Sequence, residues 1–159
     1  MTEKISNTAL EVSRYLLCGT YLDNIRVYSS SIEICFSRLN EQEKPSEIWV
    51  TSTAAVRVCG PSITATFAAG AVLDQRGVAL YMLCQLIGED VTSVQILDDR
   101  LLDFSLGGCE VRLYADEANT EEVWSITSDS PDPMFKHRWS ITLDELGDLV
   151  VCVPARSDL

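Results

Sequence analysis

Histidine is almost missing from this chain: among 159 residues there is one, His137, lying in MFKHRW beside two bases. A lone imidazole among cations reads as an exposed loop residue, so histidine-dependent acid–base catalysis lacks its usual agent. The sequence also contains no GxSxG, GxxxxGK[ST], HExxH or GxGxxG, and the common hydrolytic, nucleotide-binding and zinc-peptidase chemistries lose their signatures with them. Six cysteines are present, yet neighbours are separated by 16 or more residues, which leaves no CxxC pair and no finger-like ligand spacing. No metal and no cofactor is expected. Most of the six sit in apolar contexts (LLC, EIC, RVC, MLC, VVC), where a free thiol acts as a small buried hydrophobe, and no disulfide is expected.

Long apolar runs are lacking too. The longest, VALYMLC from Val78 to Cys84, stops at Gln85 and is far shorter than the roughly 18 residues a membrane span needs. MTEKISNTAL shows neither a basic n-region nor an apolar h-region, so a secretory leader is not expected and a cytoplasmic address is. Bases are scarce: 12 Lys and Arg face 24 Asp and Glu, for a net charge of −12. The deficit is uneven, since residues 1–70 carry a net charge of −1 and residues 71–159 a net charge of −11. Such a surface repels nucleic acid and anionic membrane, both of which are bound by cations. A partner recruited by charge has to be basic.

What is present suits a folded protein. Hydrophobic residues make up 47% and charged residues 23%, outside the low-hydrophobicity signature of disorder, and a chain this long buries roughly two-thirds of its unfolded surface. One compact domain over 1–159 is expected. Thr8 and Glu11 fit a capping box, and Ala9, Val12 and Leu16 follow at helical spacing, predicting a helix over 8–18. Alternation then predicts a hairpin turned at Ser29–Ser31 with Ile25, Val27, Ile32, Ile34 and Phe36 on its strands. RLNEQEKPSE, Arg38 to Glu47, reads as an exposed loop, and IWVTS, AVRVCG and ITATF as further strands. RGVALYMLCQLIG, Arg76 to Gly88, predicts a second helix, apolar nearly all round and more buried than the first.

The pattern then repeats. Gly19, Leu22, Ile25 and Val27 map onto Gly88, Val91, Val94 and Ile96 at an offset of 69, and Phe36 maps onto Phe104 at 68. EIWVTS corresponds loosely to EVRLYAD once the longer loop is allowed for. ILDDRLL reads as a hairpin turned at Asp98-Asp99, and EEVWSITS, RWSITLD and LVVCVP as closing strands. The fold class is therefore α+β: two helix-plus-antiparallel-meander halves, 8–68 and 76–153, packed as one compact unit, with internal duplication as one account of the repeat and chance as the other, since any helix-to-hairpin joint tends to place a glycine before alternating apolar residues.

One stretch suggests a binding role. DEANTEEVWSITSDSPD, Asp116 to Asp132, holds six acids and no base, which resists folding through self-repulsion unless the charge serves solubility or docking. The candidate partner-binding residues are Asp116, Glu117, Glu121, Glu122, Trp124, Asp129 and Asp132: carboxylates to steer a basic partner and an indole to anchor it. Trp124 has a second reading as core, because Val123 and Trp124 point to opposite faces of a strand. No catalytic residue is assigned. The adjacent acid pairs, Asp98-Asp99, Asp116-Glu117 and Glu121-Glu122, read as solvated turns, since paired catalytic carboxylates come from separate elements.

The run LIGEDVTSVQILDDRLLDFSLGGCEVRLYADEANTEEVWSI, Leu86 to Ile126, resembles small acidic bacterial immunity proteins, which neutralise polymorphic or contact-dependent toxins; the likeness rests on a "G..V..V.I.D..L.F.L.....V.L" hairpin text and the acidic stretch ending in EEVW. A fainter version covers Leu17 to Phe36. The resemblance implies a cytoplasmic inhibitor without catalysis of its own, bound to a cognate cationic toxin domain by stoichiometric occlusion. The alternative is an acidic effector chaperone of the type III secretion kind, although those resemble one helix–sheet unit completed by a partner chain, whereas this chain holds two.

Overall fold

A computed structural model describes residues 2–39, 44–67, 73–98, 100–114, 124–128, 139–144 and 146–153. Among these, the elements are α1 (Thr2–Leu17), β1 (Tyr21–Val27), β2 (Ile32–Ser37), β3 (Glu47–Ser52), β4 (Val56–Cys59), β5 (Thr64–Phe67), α2 (Leu73–Gln85), β6 (Val91–Leu97), β7 (Leu101–Leu106), β8 (Cys109–Leu113), β9 (Trp124–Ser128), β10 (Ser140–Leu143) and β11 (Leu149–Cys152). The class is α+β and mainly β. Two antiparallel sheets hold all eleven of these strands, in the orders β1-β2-β3-β9-β10-β11 and β5-β4-β8-β7-β6.

The strands do not segregate by half of the chain. β1-β2-β3 form a meander, but the strands alongside β3 are β9 and β10; β6-β7-β8 form another, and the strands alongside β8 are β4 and β5. The first meander is thus extended by three strands from the opposite half, β9, β10 and β11, and the second by two, β4 and β5. The exchange begins at a corner after β3, where Ser52 is buried and its hydroxyl accepts from Ala54 N at 3.1 Å and donates to Ala54 O at 3.2 Å. That local ring satisfies a buried turn while the chain leaves one sheet for the other. Three residues separate β3 from β4, the length of a hairpin loop, yet the two strands do not pair.

Where the sheets meet, β1 and β6 cross at Tyr21 and Asp90, an isolated antiparallel bridge. Four backbone hydrogen bonds surround it in two equivalent pairs. Gly19 N donates to Val91 O (3.1 Å) as Gly88 N does to Leu22 O (2.7 Å), and Leu22 N donates to Glu89 O (3.0 Å) as Val91 N does to Thr20 O (2.7 Å). Adding 69 to one member of each pair gives the other. Both glycines have positive φ, +78° and +92°, so the chain can leave each helix in the left-handed region that a side chain disfavours. Both strands also carry a register shift at matching places, Leu22/Asn24 and Val91/Ser93.

Ladder register corrects one pairing. Ile25 faces Ile34 and Val94 faces Phe104, so the counterpart of Phe104 is Ile34 and that of Phe36 is Leu106. Phe36 and Phe104 are contact partners instead, ring centroids 5.4 Å apart and nearly perpendicular, a favoured aromatic geometry. Around them a cluster of buried apolar side chains draws on both sheets and both helices, including Leu16, Ile34, Val58, Leu83, Leu102, Val111, Trp124 and Ile141.

Both helices differ from expectation. α1 starts at Thr2, so Thr8 lies inside it rather than capping it, and α2 runs Leu73–Gln85. α1 is the better covered: Ala9, Val12, Ser13, Leu16 and Leu17 are buried, whereas Val78, Tyr81, Cys84 and Gln85 of α2 are exposed. A continuous apolar run does not reveal which part of a helix meets a sheet. The segment opening at Arg38 is also no simple exposed loop. Arg38 is 7% exposed, and its guanidinium donates to the carbonyls of Leu16 (2.8 Å), Tyr15 (3.2 Å) and Cys18 (3.3 Å) at the end of α1, and of Pro45 (3.3 Å). A cation here satisfies carbonyls that a helix end leaves open.

Candidate binding surface

Six of the seven candidate partner-binding residues, Asp116, Glu117, Glu121, Glu122, Asp129 and Asp132, lie outside the described residues, as does His137. The seventh is placed clearly. Trp124 opens β9, between β3 and β10, and is fully buried; its indole Nε1 donates to Arg100 O at 2.8 Å. Its side chain belongs to the core and presents no aromatic anchor at the surface. The alternation Trp124, Ile126, Ser128 inward and Ser125, Thr127 outward gives the reason.

The described cations show how the surface acquires its character. Four of them lie over aromatic rings: Arg26 over Trp49 at 4.3 Å, Lys44 over Tyr15 at 5.4 Å, Arg57 over Tyr114 at 5.1 Å and Arg76 over Phe67 at 4.4 Å. Others serve carbonyls, as Arg38 does at α1 and as Arg14 does through Nε to Val94 O at 3.1 Å. Arg26 also meets a carboxylate, Glu33 Oε2 at 3.8 Å, so a cation over a ring can serve an ion pair as well. Glu11, Glu89, Asp90, Asp98 and Asp148 are exposed. Carboxylates such as these bring the composition's acidic excess to solvent.

The outer face of the five-stranded sheet contains the tightest charged cluster among the described residues. Ladder register places Gln95, Asp103, Arg112, Arg57 and Thr66 in one row across it. Arg112 donates from both Nε (3.2 Å) and Nη2 (2.7 Å) to Asp103 Oδ2, with Glu110 at 3.6 Å. The hydrogen bond to Asp103, and then one to Tyr114, hold the Arg112 guanidinium above its ordinary value. Asp103 Oδ1 is buried and unpaired. Two cations beside two carboxylates leave this patch locally neutral, so it strengthens the sheet more than it attracts an ion.

The six cysteines are all free, and they divide by place. Cys35 is buried, Cys18, Cys59 and Cys109 are partly covered, and Cys84 and Cys152 are exposed on the outer sides of α2 and β11. Thiols in apolar sequence contexts are thus not uniformly interior. Burial pushes the Cys18 thiol above its ordinary value despite Arg14, Arg38 and Lys44, which pull it down. We expect iodoacetamide at pH 8 to modify Cys84 and Cys152 first, with Cys18 and Cys35 reacting only on unfolding. Peptide mass mapping over a time course checks the order, and early labelling of Cys18 contradicts it.

No group of three or more His, Cys, Asp or Glu suited to a metal occurs among the described residues, and no helix there is long and apolar enough to cross a membrane. No protein-family model matches the chain, and neither a curated protein nor a solved structure matches it.

Proposed function

We propose that this protein is a cytoplasmic immunity protein that neutralises a cognate basic toxin domain by stoichiometric occlusion, with no catalysis of its own. The observation that carries the reading is the acidic excess itself: a net charge of −12, of which −11 lies in residues 71–159, with Glu11, Glu89, Asp90, Asp98 and Asp148 exposed among the described residues. A cationic surface that holds an anionic substrate is complementary to such a field, and covering it blocks the substrate. We also propose that the halves 8–68 and 76–153 arose by internal duplication. The reciprocal bonds about Tyr21 and Asp90 and the mutual lending of strands support this. On that reading the chain supplies within itself the second unit that an effector chaperone takes from a partner chain, which disfavours the chaperone.

Charge reversal tests the proposal. Combining Glu121→Lys, Glu122→Lys and Asp129→Lys changes local charge by six units, and association with a basic toxin domain at low salt should slow by about 10-fold to 1,000-fold. The difference should shrink as salt is raised, since the Debye length falls from about 30 Å at 0.01 M to about 8 Å at 0.15 M. Stopped-flow binding at two ionic strengths measures it, with the melting temperature as a check on folding. Unchanged association at low salt would remove the acidic segment from the docking face.

A further inference from the structure

Two hairpin turns, one from each sheet, meet at Arg100 and Gly147. Arg100, in the turn between β6 and β7, accepts from Trp124 Nε1 through its carbonyl at 2.8 Å and lays its guanidinium against Gly147, in the turn between β10 and β11. A Cβ at Gly147 would stand 2.7 Å from Arg100 Cζ, and the φ of Gly147 is +79°, so both the close approach and the backbone call for glycine. The β10–β11 turn is fastened from within as well. Asp144 Oδ1 accepts from Leu146 N at 2.9 Å and from Asp148 N at 2.8 Å, Gly147 N donates to Asp144 O at 2.9 Å, and Asp144 N donates to Asp148 O at 3.0 Å.

The turn so fixed holds out one large apolar side chain. Leu146 is 82% exposed, the most of any large hydrophobic among the described residues. A lone leucine at a surface is ordinary, but one whose backbone is tied on both sides is already ordered, so covering it with a partner costs little further entropy. Its surroundings are acidic. LDDRL, Leu97 to Leu101, and LDELGDL, Leu143 to Leu149, hold five acids and one base, and that base is Arg100, turned onto Gly147. Asp98 and Asp148 are exposed.

We infer that the β6–β7 and β10–β11 turns form a docking end, with Leu146 entering an apolar pocket of the basic partner and Asp98 and Asp148 meeting Lys and Arg on that pocket's rim. The inference rests on the basic-partner reading above, and it supplies the apolar anchor that the buried Trp124 does not. A second copy of this chain fits poorly, because its own net charge of −12 opposes the approach of these acids, whereas a basic rim is drawn to them.

An amphipathic helical peptide of leucine and lysine is the probe, since it sets an apolar strip between rows of ammonium groups. A lysine–serine peptide of equal charge and a leucine–glutamate peptide are the controls. Fluorescence anisotropy with the full chain should show the leucine–lysine peptide binding tightest, and amide shifts of the isotope-labelled chain should change most around Leu146 and Asp98. Leu146→Ser alters no charge and should weaken that binding by about tenfold, while leaving the lysine–serine peptide unaffected. Asp98→Asn combined with Asp148→Asn should weaken it by about tenfold at low salt and by less at high salt; asparagine tolerates the positive φ of position 98. Melting temperatures check that the variants fold, which the exposure of all three side chains favours. Equal affinity for parent and Leu146→Ser, shift changes centred on other acids such as Glu11 and Glu89, or absent binding overturns the docking end and leaves the acidic-field reading to the charge-reversal experiment. A leucine–glutamate peptide that binds as tightly as the leucine–lysine one overturns the basic partner as well. A parent that sediments as a dimer and becomes monomeric with Leu146→Ser assigns the end to a second copy, which also overturns the proposal.

Discussion

Replacing Trp124 with alanine should lower stability by about 3–5 kcal/mol, the cost of emptying a large aromatic site in a core that relaxes only in part. The indole is fully buried between β3 and β10, and its Nε1 holds Arg100 O at the β6–β7 turn of the other sheet. Alanine therefore leaves a cavity and removes a bond that ties the sheets together. At about 2–4 °C per kcal/mol for a chain of this size, the melting temperature should fall by about 6–20 °C. Trp124→Phe separates the two contributions. It keeps most of the volume and gives up the hydrogen bond, worth about 1 kcal/mol. A fall of less than about 1 kcal/mol for the alanine variant, together with faster release of a partner, would restore the indole to the interface.

Much of the local structure was legible because short-range rules decide it. Alternation at Ile25–Phe36 and at Val91–Phe104 marks half-buried strands, Ser29–Ser31 and Asp98 mark turns, and Gly19 and Gly88 mark helix exits. Asp98 itself adopts a positive φ of +51°, a conformation its short polar side chain tolerates at a tight turn. The exchange of strands between halves was not legible. Periodicity says that β4 buries Val56 and Val58, but the partner could equally be β3, three residues away, or β8, which it does pair. A short connector favours a hairpin, whereas here the buried ring at Ser52 and Ala54, and the bond from Tyr114 N to Ala55 O at 3.0 Å, accompany the turn into the other sheet.

The binding surface was legible in sign and less so in detail. Net charge located an acidic half, but the cations' positions over Trp49, Tyr15, Tyr114 and Phe67 depend on strands and helices distant in sequence. α2 misled for a related reason. From Val78 to Cys84 its residues are apolar on every side, so the sequence contains no polar stripe there to say which side faces water; the structure buries Ala79 and Leu83 and leaves Val78, Tyr81 and Cys84 exposed.

Arg38 is the clearest case of a polar residue whose role the sequence conceals, and its replacement should be costly. Methionine retains the apolar stem and removes every donor, so Arg38→Met isolates the guanidinium. Three carbonyls at the end of α1, those of Tyr15, Leu16 and Cys18, then lose the group that binds them, as does Pro45 O. The negative end of the helix dipole also loses an adjacent cation, a further contribution of about 0.3–2 kcal/mol. A buried acceptor without a partner costs about 1–3 kcal/mol, and relaxation of the last turn recovers part of it, so we expect a net loss of about 2–4 kcal/mol. Arg38→Lys should recover less than half, because one ammonium cannot reproduce a planar fork reaching both α1 and Pro45 O. Urea denaturation measures the totals, and hydrogen exchange should show faster opening of the amides near Leu17 and Cys18 than of those in β7 and β8. The cap would be sunk by a methionine variant within about 0.5 kcal/mol of the parent. If lysine restored full stability, positive charge rather than the fork would be what the end of α1 requires.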